Sequence, residues 1–138
     1  MHGIKFRVWD NTIKKYIDSK YVSIDGFGLL HVAKHIVKNF FRPPHTRKNP
    51  WFIVEQFTGL KDKNGTEIYE GDIIVQKPLS KNSIGWTGKV IFKEGAFMAE
   101  VHERGKIVMY LFLSEFNPEK TCEVVGNIHE DPELVEEK

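Results

Sequence analysis

The span Gln56–Ile74, QFTGLKDKNGTEIYEGDII, constrains the fold more than any other stretch of the chain. It places two turns within one short segment. Asn64-Gly65 predicts a two-residue type I′ turn, because both central positions of such a turn need φ > 0. Ile68 and Tyr69 then open a strand. Gly71-Asp72 interrupts it, and Ile73-Ile74-Val75 begins the next one. The segment holds no reactive constellation, so it speaks to fold and not to chemistry.

Other turn signals recur at similar spacing. Ile4–Trp9 and Ile13–Ile17, joined by Asp10-Asn11, read as an N-terminal hairpin, with a short third strand at Tyr21–Ile24. Strands are expected at Trp51–Phe57, Ile73–Lys77, Trp86–Phe92, Phe97–Val101, Ile107–Phe112 and Glu123–Ile128. A tight turn at Glu103–Lys106 contains Gly105. Asp131-Pro132 suits the start of a short final helix through Val135. Leu29–Phe41 shows a different period. Its apolar residues fill one half of a helical wheel and His31, Lys34, His35, Lys38 and Arg42 lie opposite, which predicts an amphipathic helix capped by Asp25 and ended by Pro43-Pro44. The fold class expected is mostly β, or β-rich α+β: a small pseudo-barrel of antiparallel strands with one amphipathic helix and a short C-terminal helix. The 138 residues are read as a single domain, 1–138, with an N-terminal subregion 1–50 and a β-rich core 51–130. The polar, proline-punctuated loop 42–50 lies between them.

Four stretches carry a resemblance. They are IKFRVWD at 4–10, the span 56–74, GKVIF at 88–92 followed by Gly95-Ala96-Phe97, and EVVGNIHEDPEL at 123–134. The chain resembles the YopX family, small proteins encoded by bacteriophages and prophages of Gram-positive bacteria. The resemblance implies a mostly β, YopX-like fold and a phage origin. It implies no catalytic activity and so carries over no catalytic residues.

Composition narrows the rest. Apolar residues make up 41% of the chain, including 10 Phe, enough for a packed core. Cys122 is the one cysteine, so no internal disulfide forms, which fits a reducing cytoplasm. Its surroundings read as a strand. No apolar run approaches the roughly 20 residues that cross a bilayer, and no signal peptide is visible. The expectation is a protein of the host bacterial cytoplasm, away from membranes.

Net charge is +1, but the charges are segregated. Residues 26–54 contain no acid and hold Lys34, Lys38, Arg42, Arg47 and Lys48, a local charge of +5. Residues 115–138 hold eight acids against Lys120 and Lys138, a local charge of −6. The basic set His31, Lys34, His35, Lys38, Arg42, Arg47 and Lys48 has three readings: a solvated helix face, a docking face for an acidic protein or another copy, or a phosphate-binding face helped by Phe41 and Trp51. His31 and His35 share helical spacing with a metal pair, with His45 as a third ligand. The flanking lysines and the lack of nearby acids argue against a metal.

Glu67, Glu70 and Asp72 cluster at a turn, where Asp72 is expected to bond to the local backbone. Trp86 is expected in the core. Nucleophile-elbow, phosphate-loop, dinucleotide and Cys-x-x-Cys motifs are all missing from the sequence. No cofactor is expected. The reading is a phage accessory protein without catalytic activity that binds a protein partner or itself, and that modulates a host factor or defence. A nucleic-acid-binding module using residues 31–48 is the alternative, and an enzyme of unrecognised type is the remaining one.

Overall fold

In the computed structural model, residues 5–27, 30–32 and 52–136 are described. They form two compact units, Lys5–Gln56 and Phe57 onward.

In the first unit, β1 (Phe6–Asp10) pairs with β2 (Lys15–Ile17) and with the first half of β5 (Phe52–Lys61), all antiparallel. The tight return after β1 is held by Asp10, whose carboxylate accepts the Thr12 N–H at 2.8 Å. A separate hairpin joins β3 (Val22–Ile24) to β4 (Leu30–Val32). Val8, Leu30, Phe52 and Val54 are buried together. The buried Glu55 carboxylate accepts from Arg7 Nε at 2.8 Å and Tyr16 Oη at 2.8 Å, so its charge is paired.

The helix predicted over 29–41 is corrected at its start. Leu30–Val32 is a strand, with Leu30 inward and His31 outward. Three residues of alternating apolar and polar character fit both periods, and the cross-strand partners Val22 and Ile24 decide for the strand. Asp25 does not cap a helix there. Its carboxylate accepts the Phe27 N–H at 2.8 Å in the β3–β4 turn. The rest of that predicted helix lies outside the described residues.

The second unit begins within β5. Phe57 and Lys61 pair with Tyr69 and Glu67 of β6 (Glu67–Tyr69). A five-stranded antiparallel sheet follows, in the order β10-β9-β8-β7-β11. Its strands are β7 (Asp72–Gln76), β8 (Trp86–Lys93), β9 (Ala96–Glu103), β10 (Lys106–Phe112) and β11 (Cys122–Asn127). It curls into half of a barrel. The core of this unit comprises Ile68, Ile74, Val90, Ala99, Leu113 and Cys122. Trp86 is half-buried, edge-on to Phe116 at 5.5 Å between centroids. Burial raises the Cys122 thiol pKa above its ordinary value, which keeps the thiol neutral. A short 3-10 turn at Pro132–Leu134 stands where the final helix is expected, and a four-residue helix α1 at Pro118–Thr121 precedes β11. The chain is mostly β, as its turn spacing suggests.

The 62–66 turn is where expected but of another type. Asp62 O accepts the Gly65 N–H at 3.0 Å, and Gly65 (φ 82°) has positive φ while Asn64 does not. That is a type I turn closed by a left-handed glycine, the three-residue hairpin form. Type I′ turns do occur, at Glu94-Gly95 and Arg104-Gly105, where both central residues have positive φ.

Asp62 explains the difference. Its Oδ1 accepts the N–H groups of Asn64 (2.8 Å) and Thr66 (2.9 Å) from within the turn. Its Oδ2 accepts the N–H of Val124 in β11 at 2.9 Å. Asp72 plays the local role read for it, accepting the Tyr69 N–H at 2.8 Å. We expect Asp62→Ala to destabilise the protein by about 3 kcal/mol or more, because three N–H groups lose one acceptor. Asp62→Asn, which keeps Oδ1, should lose less. Denaturant midpoints check this, and equal losses for the two variants would contradict it.

Candidate protein-binding edge

An antiparallel strand sends its backbone hydrogen bonds alternately to its two sides. Two-residue turns make Lys93–Ala96 and Glu103–Lys106 the closing pairs of their hairpins. Along β9, therefore, Phe97, Ala99, Val101 and Glu103 bond toward β10. Ala99 and Val101 lie opposite Leu111 and Met109. The backbone groups of Leu111 and Met109 thus face β9, and those of Tyr110 and Phe112 face away. The same count carried across β8 and β7 turns Cys122 and Val124 of β11 outward. That agrees with their observed outer partners.

The two edges of the sheet are unlike. The outer side of β11 is covered: Lys63 N–H donates to Cys122 O at 2.9 Å, and Asp62 takes the Val124 N–H. The end of β11 is also closed, by Asp131 N–H donating to Asn127 O at 2.9 Å. At β10, no other element among the described residues bonds to the outer side. Ile107, Val108, Met109, Tyr110 and Phe112 remain 40–49% exposed. Lys106 is the strand's single charge. Edge strands in soluble proteins are ordinarily blunted by internal lysines, prolines, bulges or a cover. Of these, β10 has a register shift between Ile107 and Met109. Residues 107–112 contain no charge and no proline.

Beside this edge lies a polar cluster. Glu100, paired with Tyr110, is nearly buried. It accepts from His102 Nε2 at 2.8 Å and lies 3.5 Å from Lys89 Nζ. His102 Nδ1 is buried without a hydrogen-bond partner. Lys89 and His102 line a cavity of about 350 Å³ with Gly105, Ile128, Pro132, Val135 and Glu136. The cavity lining offers no hydroxyl or thiol nucleophile. The two basic lining groups, Lys89 and His102, are thus both turned to Glu100.

The basic residues singled out from the sequence fare unevenly. His31 stands exposed on β4, with Nε2 2.9 Å from Asp25 Oδ2, so an acid of the same hairpin already faces it. Lys34, His35, Lys38, Arg42, Arg47 and Lys48 lie outside the described residues. Among the described residues no group of His, Cys, Asp and Glu is placed to hold a metal. No helix among them is long and apolar enough to cross a membrane.

The β10 edge was legible as a strand but not as an edge. Its one signal is the unbroken run IVMYLF, where a strand with one wet face would alternate. Asp62 could have been marked by Asp-Lys-Asn-Gly, a turn sequence in which the first carboxylate reaches the following N–H groups. Its bond to β11 spans 62 positions and leaves no local trace.

We expect His102→Ala to lower stability by about 1–3 kcal/mol, since it leaves Glu100 buried with Lys89 alone. Adding Glu100→Met should recover most of that loss. Strictly additive losses in a double-mutant cycle would contradict the pairing.

A family model described as YopX protein matches residues 5–136. No curated protein sequence matches the chain. Among solved structures, the chain is similar to the crystal structure of protein EF1440 from Enterococcus faecalis, at 26% identity and a TM-score of 0.56. The alignment covers 96% of this chain and 98% of that one. A match over nearly the whole length shows that the chain belongs to the YopX family.

Proposed function

We propose that this chain is a phage- or prophage-encoded accessory protein that acts in the host cytoplasm by binding protein, without catalysis, at the β10 edge. Membership of the YopX family supports the phage setting. The observation that carries the binding role is the contrast, among the described residues, between the two sheet edges: β11 is closed by Asp62 and Lys63, while β10 presents open backbone groups and five exposed apolar side chains. An incoming extended segment gains main-chain hydrogen bonds from such an edge, and alternate side chains supply selectivity. A host factor or a defence component is the class of target that an accessory protein of this size would modulate.

The rival reading, a nucleic-acid module, rests on residues 31–48. Of these, the described His31 already faces Asp25. The test is affinity capture from host cells, with and without nuclease, using wild type and Val108→Lys. A lysine there blocks strand addition. We expect protein association that survives nuclease and is lost in the variant. Association abolished by nuclease, or kept by Val108→Lys, would contradict the proposal.

A further inference from the structure

We infer that the segment fitting the β10 edge is β10 of a second copy, added antiparallel about a two-fold axis through Tyr110. This inference rests on the binding role proposed for that edge.

The sequence of the strand is what suits it to itself. In an isologous pairing every residue meets its own strand in reverse, so like charges that would fall opposite each other are disfavoured. With Tyr110 on the axis, Met109 lies opposite Leu111 of the second copy, and the register shift at Val108 bounds the regular pairing on either side. No charge falls on residues 108–112 themselves, and the Lys93 ammonium beside the axis already rests on the Tyr110 ring, 4.1 Å from its centroid. The single lysine of the strand, Lys106, comes to the end where Glu115 of the other copy follows the strand, so the flanking charges are opposite in sign. The backbone groups of Tyr110, which point away from β9, provide the central hydrogen-bonded pair. The formal net charge of +1 offers little repulsion between copies.

The five exposed apolar side chains leave roughly 400 Å² of patch on each copy, the size of a functional patch on a monomer. Two copies together bury roughly 800 Å² there, below the 1,200–2,000 Å² of standard stable interfaces. The expected dimer is therefore weak and dependent on concentration. Joining two five-stranded sheets at this edge would make one sheet of ten strands. The β11 edges, already covered, would remain at the two ends.

Sedimentation velocity of the full chain across a wide concentration range tests this, with wild type and Tyr110→Lys. We expect a shift from monomer to dimer in the wild type. In the variant, which sets two lysines across the axis, dimer affinity should be at least tenfold weaker. Circular dichroism and melting report whether the variant is folded. A second variant, Tyr110→Cys, stands apart from any defect of the lysine. Paired residues on the axis have Cα atoms about 5.5 Å apart, within disulfide range. Mild oxidation should then give a covalent dimer at position 110 and much less with Lys106→Cys, while buried Cys122 stays silent.

A wild type that is monomeric at every concentration overturns the inference, as does cross-linking with no preference for position 110. If the monomeric wild type still loses its nuclease-resistant partner through Val108→Lys, the binding role stands and only the second copy falls. A dimer unaffected by Tyr110→Lys also overturns the inference, because the two copies then meet at another surface.

Discussion

Asp62 is a carboxylate with almost no access to water, and three backbone N–H groups point at it. Two come from its own turn and one from β11, far along the chain. A buried charge is tolerable only when its lone pairs are used, and here they are used to fix geometry. Oδ1 shapes the 62–66 turn into its type I form, and Oδ2 covers one outer N–H of the five-stranded sheet. With Lys63 donating to Cys122 O, the turn acts as the missing neighbour of β11. Among the described residues the sheet therefore has one finished edge and one open edge, and the proposed binding role follows from that asymmetry.

The details around β11 agree with this role. The strand bulges between Val124 and Gly126. A Cβ at Gly126 would lie 2.5 Å from Asp131 Oδ2, so glycine is what admits the carboxylate to the end of the strand. Asp131 in turn takes the Asn127 N–H at 3.2 Å. The end of the stretch EVVGNIHEDPEL, one of those that carry the resemblance, thus folds back on itself and seals the end of β11. Little comparable is invested at β10. Beyond the type I′ turn at Arg104-Gly105, its fit to β9 is loosened by the shift between Ile107 and Met109. Of the four stretches that carry the resemblance, those at 56–74, 88–97 and 123–134 contribute to this sheet or its closing turn, while 4–10 supplies β1 of the first unit.

Much of this architecture was legible in the sequence, because glycine and aspartate at turns carry local physical instructions. Gly71-Asp72, Gly105 and Asp131-Pro132 lie at breaks between elements in the structure, and the intervening apolar runs are strands. What failed was what depends on distant partners. Leu30–Val32 follows a helical period on paper but pairs with Val22–Ile24. Asn64-Gly65 has the composition of a type I′ turn, yet the Asp62 carboxylate holds it in another form. The rank of a strand within its sheet has no local signature either, so Ile107–Phe112 read as a strand without revealing that it is an edge among the described strands. The basic residues at 31–48 had the clearest chemical pattern. The one whose surroundings are described, His31, faces an aspartate of its own hairpin.

Residue-resolved hydrogen exchange on dilute protein tests the central claim most directly, because it reads the two edges in one experiment. The account requires the Val124 amide, held by Asp62, to be protected to near the level of the core strands. The Tyr110 and Phe112 amides should exchange quickly in the dilute protein and become protected as concentration or a partner covers the edge. Tyr110 and Phe112 amides as slow as Val124 in dilute protein would contradict the account, because β10 would then already have its neighbour.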